Sequence, residues 1–299
     1  MLISIITPCL NRAEFIEEAI QSVLEQDYKH VEHIIVDGGS TDGTLEILAK
    51  YPHLRVVSEP DQGVYDAYNK GNLLANGDWV GFLNSDDFYE KEIFGEIVRH
   101  FNNRPQIDAL TSGATIFTED PSGNRKTVAI YPAITSQDLW YRLTQGGSIF
   151  NAWFFRRGVL ERIGNFDTKY PFAADRDFLI RCAFVKTPFF TIDKNFYFYR
   201  QHTSSLTYKG EFDYEADFIT DCLGLAQDYL NQTLPENLQR VFQEWHSFIV
   251  TGQVVTALRK KKFHRTIDYI YMGWSQDIRW PFLMIKRIIK GFDNRRNLK

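Results

Sequence analysis

Short apolar runs alternate with helical spacing over the first hundred residues. Residues 2–7 predict a strand, and 13–26 a helix through Phe15, Ile16, Ile20, Val23 and Leu24. Residues 31–36 predict a second strand, 45–50 a short helix and 55–58 a third strand. A helix opens at Asp61-Gln62-Gly63, runs through Tyr65, Tyr68 and Leu73, and closes at Asn76-Gly77, residues that favour a helix stop. The fourth strand, Trp79-Val80-Gly81-Phe82-Leu83, ends abruptly in Asn84-Ser85-Asp86-Asp87. A run this short and apolar predicts a strand buried on both faces. Strands alternating with helices predict βαβ units and a parallel sheet, hence an α/β fold.

Parallel order has a geometric consequence. Pro8, Asp37, Asp61 and Asp86 each follow the carboxyl end of a strand, so they are expected along one acidic edge, where open α/β sheets bind ligands. A single Asp there is ordinarily a turn former or a helix cap; three at equivalent places point to a site. Asp86 and Asp87 are not both expected in the core, because an unpaired buried carboxylate costs too much. Asp87-Phe88-Tyr89-Glu90 matches a capping pattern, so Asp87 is expected to close a helix start. Asp86 remains as the metal-ligand candidate.

The middle of the chain departs from this alternation. Residues 108–118 and 126–130 flank Pro121-Ser122-Gly123-Asn124, the pattern of an antiparallel hairpin. Residues 135–143 predict a short helix, 152–156 a strand and 157–163 a helical turn. In the predicted helix 174–185, Phe178, Leu179, Cys182 and Ala183 share one face with Asp175 among them. Asp177 falls on the opposite side, four residues before Arg181, as an exposed ion pair would. Asp175 is therefore an acid directed inward, either a buried cap or a functional group. Residues 189–193 and 196–199 predict strands leading to Tyr199-Arg200-Gln201-His202. From residue 208 the pattern is helical: 213–230, 235–262, 263–274 and 281–292, the last opened by a proline in the favourable first turn.

Composition narrows the function classes. With 44% hydrophobic residues and a net charge of −4, the chain reads as globular and not as a nucleic-acid binder. Charge is unevenly spread: residues 255–299 carry twelve Lys/Arg against three Asp, a net of +9 that leaves −13 elsewhere. Such a basic tail predicts contact with an anionic surface. Cys9, Cys182 and Cys222 are odd in number and without metal spacing, which predicts reduced thiols and a cytoplasmic setting. The chain starts directly on a strand-like run, so no signal peptide is expected, and no apolar stretch is long enough to span a bilayer.

Several ordered motifs together resemble the family 2 glycosyltransferases, inverting nucleotide-sugar enzymes of GT-A fold. The resemblance covers residues 2–205. Ile6-Thr7-Pro8-Cys9-Leu10-Asn11-Arg12 resembles the first-strand motif, whose backbone lies along the nucleotide. His33-Ile34-Ile35-Val36-Asp37-Gly38-Gly39-Ser40 resembles the second, which implies that Asp37 holds the base or ribose, with Gly39 in the same loop. Glu59-Pro60-Asp61-Gln62-Gly63, continuing to Lys70-Gly71, resembles the third and puts Asp61 near the base. Phe82-Leu83-Asn84-Ser85-Asp86-Asp87 stands where the family has its Asp-x-Asp metal motif, with Asn84 in place of the first Asp. Asn can hydrogen-bond a ribose hydroxyl but adds no charge. Asp86 then keeps the metal role, for Mn²⁺ or Mg²⁺. Gly164-Asn165-Phe166-Asp167 followed by Ala174-Asp175-Arg176-Asp177 resembles the acceptor-side segment. Many relatives carry Glu-Asp where this chain has Ala174-Asp175, and the retained Asp175 is implied as the base. Tyr199-Arg200-Gln201-His202 resembles the closing motif, in which His202 approaches the metal or diphosphate.

The resemblance implies a mostly parallel, Rossmann-like central sheet flanked by helices, with a catalytic domain over 1–205 (nucleotide half 1–105, acceptor half 106–205) and a helical extension over 206–299. The implied reaction is metal-dependent, inverting transfer from a nucleotide-sugar donor, UDP being the family's commonest nucleotide, to a glycan or lipid-linked acceptor in polysaccharide biosynthesis. Two alternatives stand beside it. A nucleotidyltransferase would favour a glycine- and base-rich loop after the first strand, whereas residues 7–12 hold no glycine and one Arg. A sugar- or nucleotide-binding scaffold of the same fold is compatible with Asn84 and Ala174. The tail likewise has two readings: helices lying flat on an anionic inner membrane face, or apolar faces packed on the catalytic domain or on a second subunit.

Overall fold

The apolar run at the amino terminus forms β1 (Ile3–Cys9), buried at every position. The computed structural model describes residues 1–205, 216–282 and 284–285. Two units compact in themselves divide the chain, Met1–Asp213 and Tyr214–Lys299.

In the first unit, α1 (Ile16–Leu24) buries Ile16, Ala19, Ile20 and Val23, the spacing of one helix face. β2 (Val31–Asp37), α2 (Thr44–Leu48), β3 (Leu54–Ser58), α3 (Val64–Leu74) and β4 (Trp79–Phe82) follow in the expected alternation. The four strands lie in the order β3-β2-β1-β4 and are all parallel. β4 carries Gly81 for a steric reason: a Cβ there would sit 2.5 Å from the Phe154 ring.

Past β4 the sheet is mixed. β5 (Phe88–Tyr89) and α4 (Ile93–Asn103) precede β6 (Ala109–Glu119) and β7 (Arg125–Tyr131), the expected antiparallel hairpin. Then come α5 (Leu139–Thr144), a 3-10 turn at Phe150–Ala152, β8 (Trp153–Arg156), α6 (Arg157–Ile163), α7 (Ala174–Phe184) and β9 (Phe189–Arg200). Beyond β4 the order is β8-β6-β9-β5, with β7 on β6. β8 runs antiparallel to β4 and β6, β9 runs parallel to β6, and β5 runs antiparallel to β9. Successive residues of β8 serve two packing layers. Phe154 joins Ile3, Ile5, Trp79, Phe94 and Phe101, whereas Phe155 packs against Phe150 and Phe178.

Three expectations are corrected here. The two strands expected at 189–193 and 196–199 are one strand, β9, whose pairing with β6 shifts register beside Gly113. Asp87 caps no helix: it leads into β5, and α4 begins only at Ile93. Asp177 does pair with Arg181, at 2.7 Å, but it is buried, because α7 is enclosed on most sides.

In the second unit, α9 (Glu236–Arg259) packs against both α8 (Ala216–Leu230) and α10 (Phe263–Gln276). Tyr229 stacks on Phe242 at 4.7 Å, and Val250, Val254 and Trp280 form a small core with Tyr269 and Met272. The first residues of the expected helix 213–230, and most of the expected helix 281–292, lie outside the described residues. Among the described residues no helix is long and apolar enough to cross a membrane.

Candidate active site

Hydrogen bonds tie the carboxyl ends of the parallel strands together. Gly38 N–H donates to Cys9 O at 2.8 Å, Glu59 N–H to Asp37 O at 2.9 Å, and Leu83 N–H to Ile6 O at 3.0 Å. Pro8 and Asp37 are still within the last residues of β1 and β2, not past them as expected, whereas Asp61 and Asp86 follow β3 and β4; all four lie at the carboxyl ends of neighbouring strands. The Asp37 side chain is buried and accepts from Gly39 N–H (3.1 Å), Ser40 N–H (3.0 Å), Ser58 Oγ (2.6 Å) and the Ser40 hydroxyl. Its carboxylate holds the loop after β2 in shape, with Gly39 at a φ of +94°. Gly38 permits the neighbouring loop to close in, since a Cβ there would lie 2.7 Å from Asp61 Oδ2. Asp61 in turn accepts from Gly63 N–H at 2.9 Å, at the start of α3.

The loop after β1 is fixed in the same manner. Asn11, at a φ of 53°, donates its N–H to Ser40 Oγ (2.7 Å) and accepts from Thr41 N–H (2.9 Å). Arg12 N–H donates to Thr44 Oγ1 at 2.9 Å. Thr7 is buried against His33, with Oγ1 and Nε2 2.9 Å apart. Lys70 donates to Pro60 O and pairs with Glu59 (3.0 Å) and Asp66 (3.4 Å). The side chains expected around the nucleotide are thus largely engaged in fixing the loops at the carboxyl ends of β1, β2 and β3.

At the end of β4 the two acids have opposite fates. Asp86 lies 3.1 Å from His202 Nε2 and 3.5 Å from Arg12 Nε, all three partly shielded from solvent. Phe15 lies against the His202 ring, and Ser204 Oγ holds its other nitrogen at 2.8 Å. Ser85 is buried and hydrogen-bonds the Cys9 thiol, whose pKa burial pushes up to about 12. Asp87 is buried, and burial followed by the Asp86 charge pushes its carboxyl well above the usual range. Three donors compensate it: Tyr197 O–H (2.5 Å), Arg200 N–H (2.8 Å) and Asn84 Nδ2 (3.0 Å). Asn84 also accepts from Tyr68 O–H at 2.8 Å, and Asn151 Nδ2 donates to the same tyrosine oxygen at 2.8 Å. Both acids are therefore kept, one paired with His202 and Arg12 and one in a satisfied core network.

Arg200 closes this turn from β9. Its Nε donates to Asp86 O at 3.0 Å, and its buried guanidinium pairs with Glu18 and with Glu119 (2.6 Å). The sequence places Tyr68 only on a helix face and Arg200 only within the closing motif, and it gives Asn151 and Tyr197 no role. Nothing in their spacing connects positions so far apart. Arg200 alone left a readable signal, since an arginine within an aromatic strand requires carboxylate partners.

Asp175 sits in the first turn of α7 and keeps partial exposure. Burial raises its pKa above the ordinary carboxylate value, while Arg176 and a hydrogen bond from Tyr65 hold the charge in place. Tyr65 and Tyr68 stand side by side on α3, with ring centroids 6.2 Å apart. Burial raises the pKa of Tyr68 most, and the charges of both Asp87 and Asp175 add to it. The α3 tyrosine pair therefore connects the Asp86-Asp87 turn on one side with Asp175 on the other. Arg176 also donates to Leu143 O (3.1 Å) and Thr144 O (2.8 Å), fastening the end of α5 beside Asp175.

Among the described residues no three His, Cys, Asp or Glu side chains gather as a metal site. What is present is one carboxylate facing one imidazole, Asp86 and His202. That donor pair fits Mg²⁺ or Mn²⁺, ions that take oxygen and imidazole ligands and keep positions for water and phosphate oxygens.

The Glycosyl transferase family 2 profile matches residues 4–164. A PGL/p-HBAD biosynthesis glycosyltransferase of Mycobacterium bovis is 34% identical over 187 residues, covering 60% of this chain and 69% of that protein. Among solved structures, Staphylococcus aureus TarS residues 1–349 in complex with UDP-GlcNAc superposes with a TM-score of 0.63 at 20% identity, covering 92% of this chain and 81% of that one. The chain spans 43% of a longer TarS structure. The mannosyltransferase PcManGT from Pyrobaculum calidifontis, in complex with GDP-Man and Mn²⁺, gives 0.58 at 17% identity over 97% of this chain and 86% of that one. These likenesses carry the fold, GT-A with a helical extension. The strand order, the ordered motifs and the matched profile agree on one conclusion: the chain belongs to glycosyltransferase family 2.

Proposed function

We propose that this glycosyltransferase moves a sugar from a nucleotide-diphosphate sugar, UDP-linked by preference, to a hydroxyl of a glycan or lipid-linked acceptor, with inversion at the anomeric carbon. The placement of Asp175 carries the reading. It is a carboxylate at a helix start, part exposed, with its pKa raised by burial toward the range that suits a general base. In the proposed step the acceptor oxygen bonds to the anomeric carbon as the bond from that carbon to the diphosphate oxygen breaks, and Asp175 takes the acceptor's proton. A single displacement converts an α-linked donor into a β-linked product.

The nucleotide lies in this account along the backbone of Thr7, Pro8, Asn11 and Arg12, with Asp37 and Gly39 shaping its loop and Asp61 and Lys70 flanking the base. Asn84 and Ser85 border the ribose side, although the amide of Asn84 is already engaged by Tyr68 and Asp87. Asp86 and His202 would hold Mn²⁺ or Mg²⁺. Such an ion, when bound, offsets the charge that develops on the leaving diphosphate. A UDP donor is supported by the UDP-GlcNAc bound to TarS, and a divalent ion by the Mn²⁺ in PcManGT.

Proton NMR of the product tests the reaction directly. An α-linked UDP-sugar is expected to give a β-linked product, and retained configuration would remove Asp175 from the role of base in a single displacement. Chelation by EDTA is expected to abolish transfer and added Mn²⁺ to restore it. Undiminished turnover in EDTA would discard the Asp86–His202 pair as an ion site.

A further inference from the structure

In the second unit α10 turns the wrong side toward its partner helix. Packing on α9 and Trp280 uses Thr266, Gly273, Tyr269 and Met272; a Cβ on Gly273 would lie 2.3 Å from the Trp280 indole. The large apolar residues face outward instead. Phe263 is 65% exposed, Ile267 67%, Tyr271 73% and Trp274 56%, with Ile270 exposed between them. At 100° per residue these five fall within one stripe about 100° wide. The chain after the helix continues the theme, for Ile278 and Phe282 are also exposed. An apolar area of this size on a helix surface marks an interface.

Charge decides what covers it. Lys261 and Lys262 precede the stripe, His264 borders it, and residues 255–299 together carry a net of +9. Of the two described acids in that stretch, Asp277 is paired with Arg279 at 3.0 Å. A second copy seated face to face would bring two such basic segments together, and they repel. An anionic bilayer supplies what both features lack, an apolar layer beneath negative headgroups. At fourteen residues α10 is about 21 Å long, too short to span a bilayer and suited to lying in its plane. Tyr271 and Trp274 are the ring types that settle at headgroup depth.

We infer that the outward face of α10 seats this chain on an anionic membrane surface, with the basic residues around it contacting lipid headgroups. The inference does not rest on the proposed transfer reaction, and its test reads binding alone. The full chain is floated with vesicles of phosphatidylcholine mixed with phosphatidylglycerol, and with phosphatidylcholine alone. Wild type is expected to float with the anionic vesicles and to do so less at high salt. The double variant Ile267→Glu, Trp274→Glu is expected to lose about tenfold or more of that partition with its circular dichroism unchanged, both side chains being exposed. A second variant, Lys261→Gln with Lys262→Gln, keeps the apolar face and is expected to weaken binding to anionic vesicles selectively. Wild type left at the bottom of the gradient would overturn the inference, as would flotation of the Glu variant equal to wild type. Sedimentation showing a dimer that the Glu variant dissolves, with no flotation of either, would give the face to a second copy and overturn it too.

Discussion

Asp175 holds its charge against burial with help from two neighbours, and that balance is open to measurement. Arg176, on its own helix, and Tyr65 across from it both lower the raised pKa; Tyr68 is the other titratable group facing it. Tyr65→Phe removes one of those contributions, so the base titrates higher still. The acid limb of the kcat/KM profile is expected to move to higher pH, with turnover near neutrality reduced several-fold. An unmoved limb would separate Tyr65 from the base. The same shift has a sign in stability. A carboxyl whose folded pKa lies above its unfolded value costs nothing below the unfolded value near 4, destabilises the fold increasingly as pH rises above it, and costs its full amount above the folded pKa. Asp175→Asn keeps an acceptor for one of its donors and removes the buried charge. Its melting temperature is expected to exceed that of wild type at pH 7 and to match it below about pH 4.

At the scale of elements, β9 is the brace of the site. Through Arg200 it joins α1, β6 and the Asp86-Asp87 turn. Arg200→Ala removes a buried cation and its hydrogen bond to the Asp86 carbonyl and leaves two partly exposed glutamates unpaired, so a loss of about 1–3 kcal/mol is expected in urea denaturation. A change within error would mean that the network contributes no net stability. The contrast with the parallel half explains what could be read from the sequence. β1 to β4 alternate with helices, so their parallel pairing and the acids at the ends of β2, β3 and β4 follow from local pattern. β5 is two residues long, too short to carry a period, and the helix cap expected at Asp87 rested on a local motif that tertiary pairing with β9 overrode. The mixed half of the sheet depends on pairings a hundred residues apart, such as Phe88 with Phe198, which no window of the sequence contains.

Over the whole molecule, each of the two units buries a histidine in its neutral form. Burial pushes His33 down to about 3 and His246 down to about 4, from an ordinary 6.5. Below pH 6.5 the unfolded chain takes up protons that the folded chain does not, so stability falls as pH drops toward those values. By pH 5 the expected loss is about 2 kcal/mol for each histidine. His246→Leu is expected to flatten that slope for the second unit only, and an unchanged slope would refute the assignment. The candidate site was legible to a similar degree as the fold. Asp86, Asp175 and His202 are reachable from pattern and motif, whereas the tyrosine pair between the Asp86-Asp87 turn and Asp175 is visible only in the folded chain. Everything proposed about turnover rests on Asp175 as the proton acceptor, and one paired measurement addresses it: transfer rate and donor affinity of Asp175→Asn, the latter by calorimetry with UDP-sugar and Mn²⁺. Turnover is expected to fall by about a thousandfold or more, with donor affinity within a few-fold of wild type. Turnover near that of wild type would contradict that role.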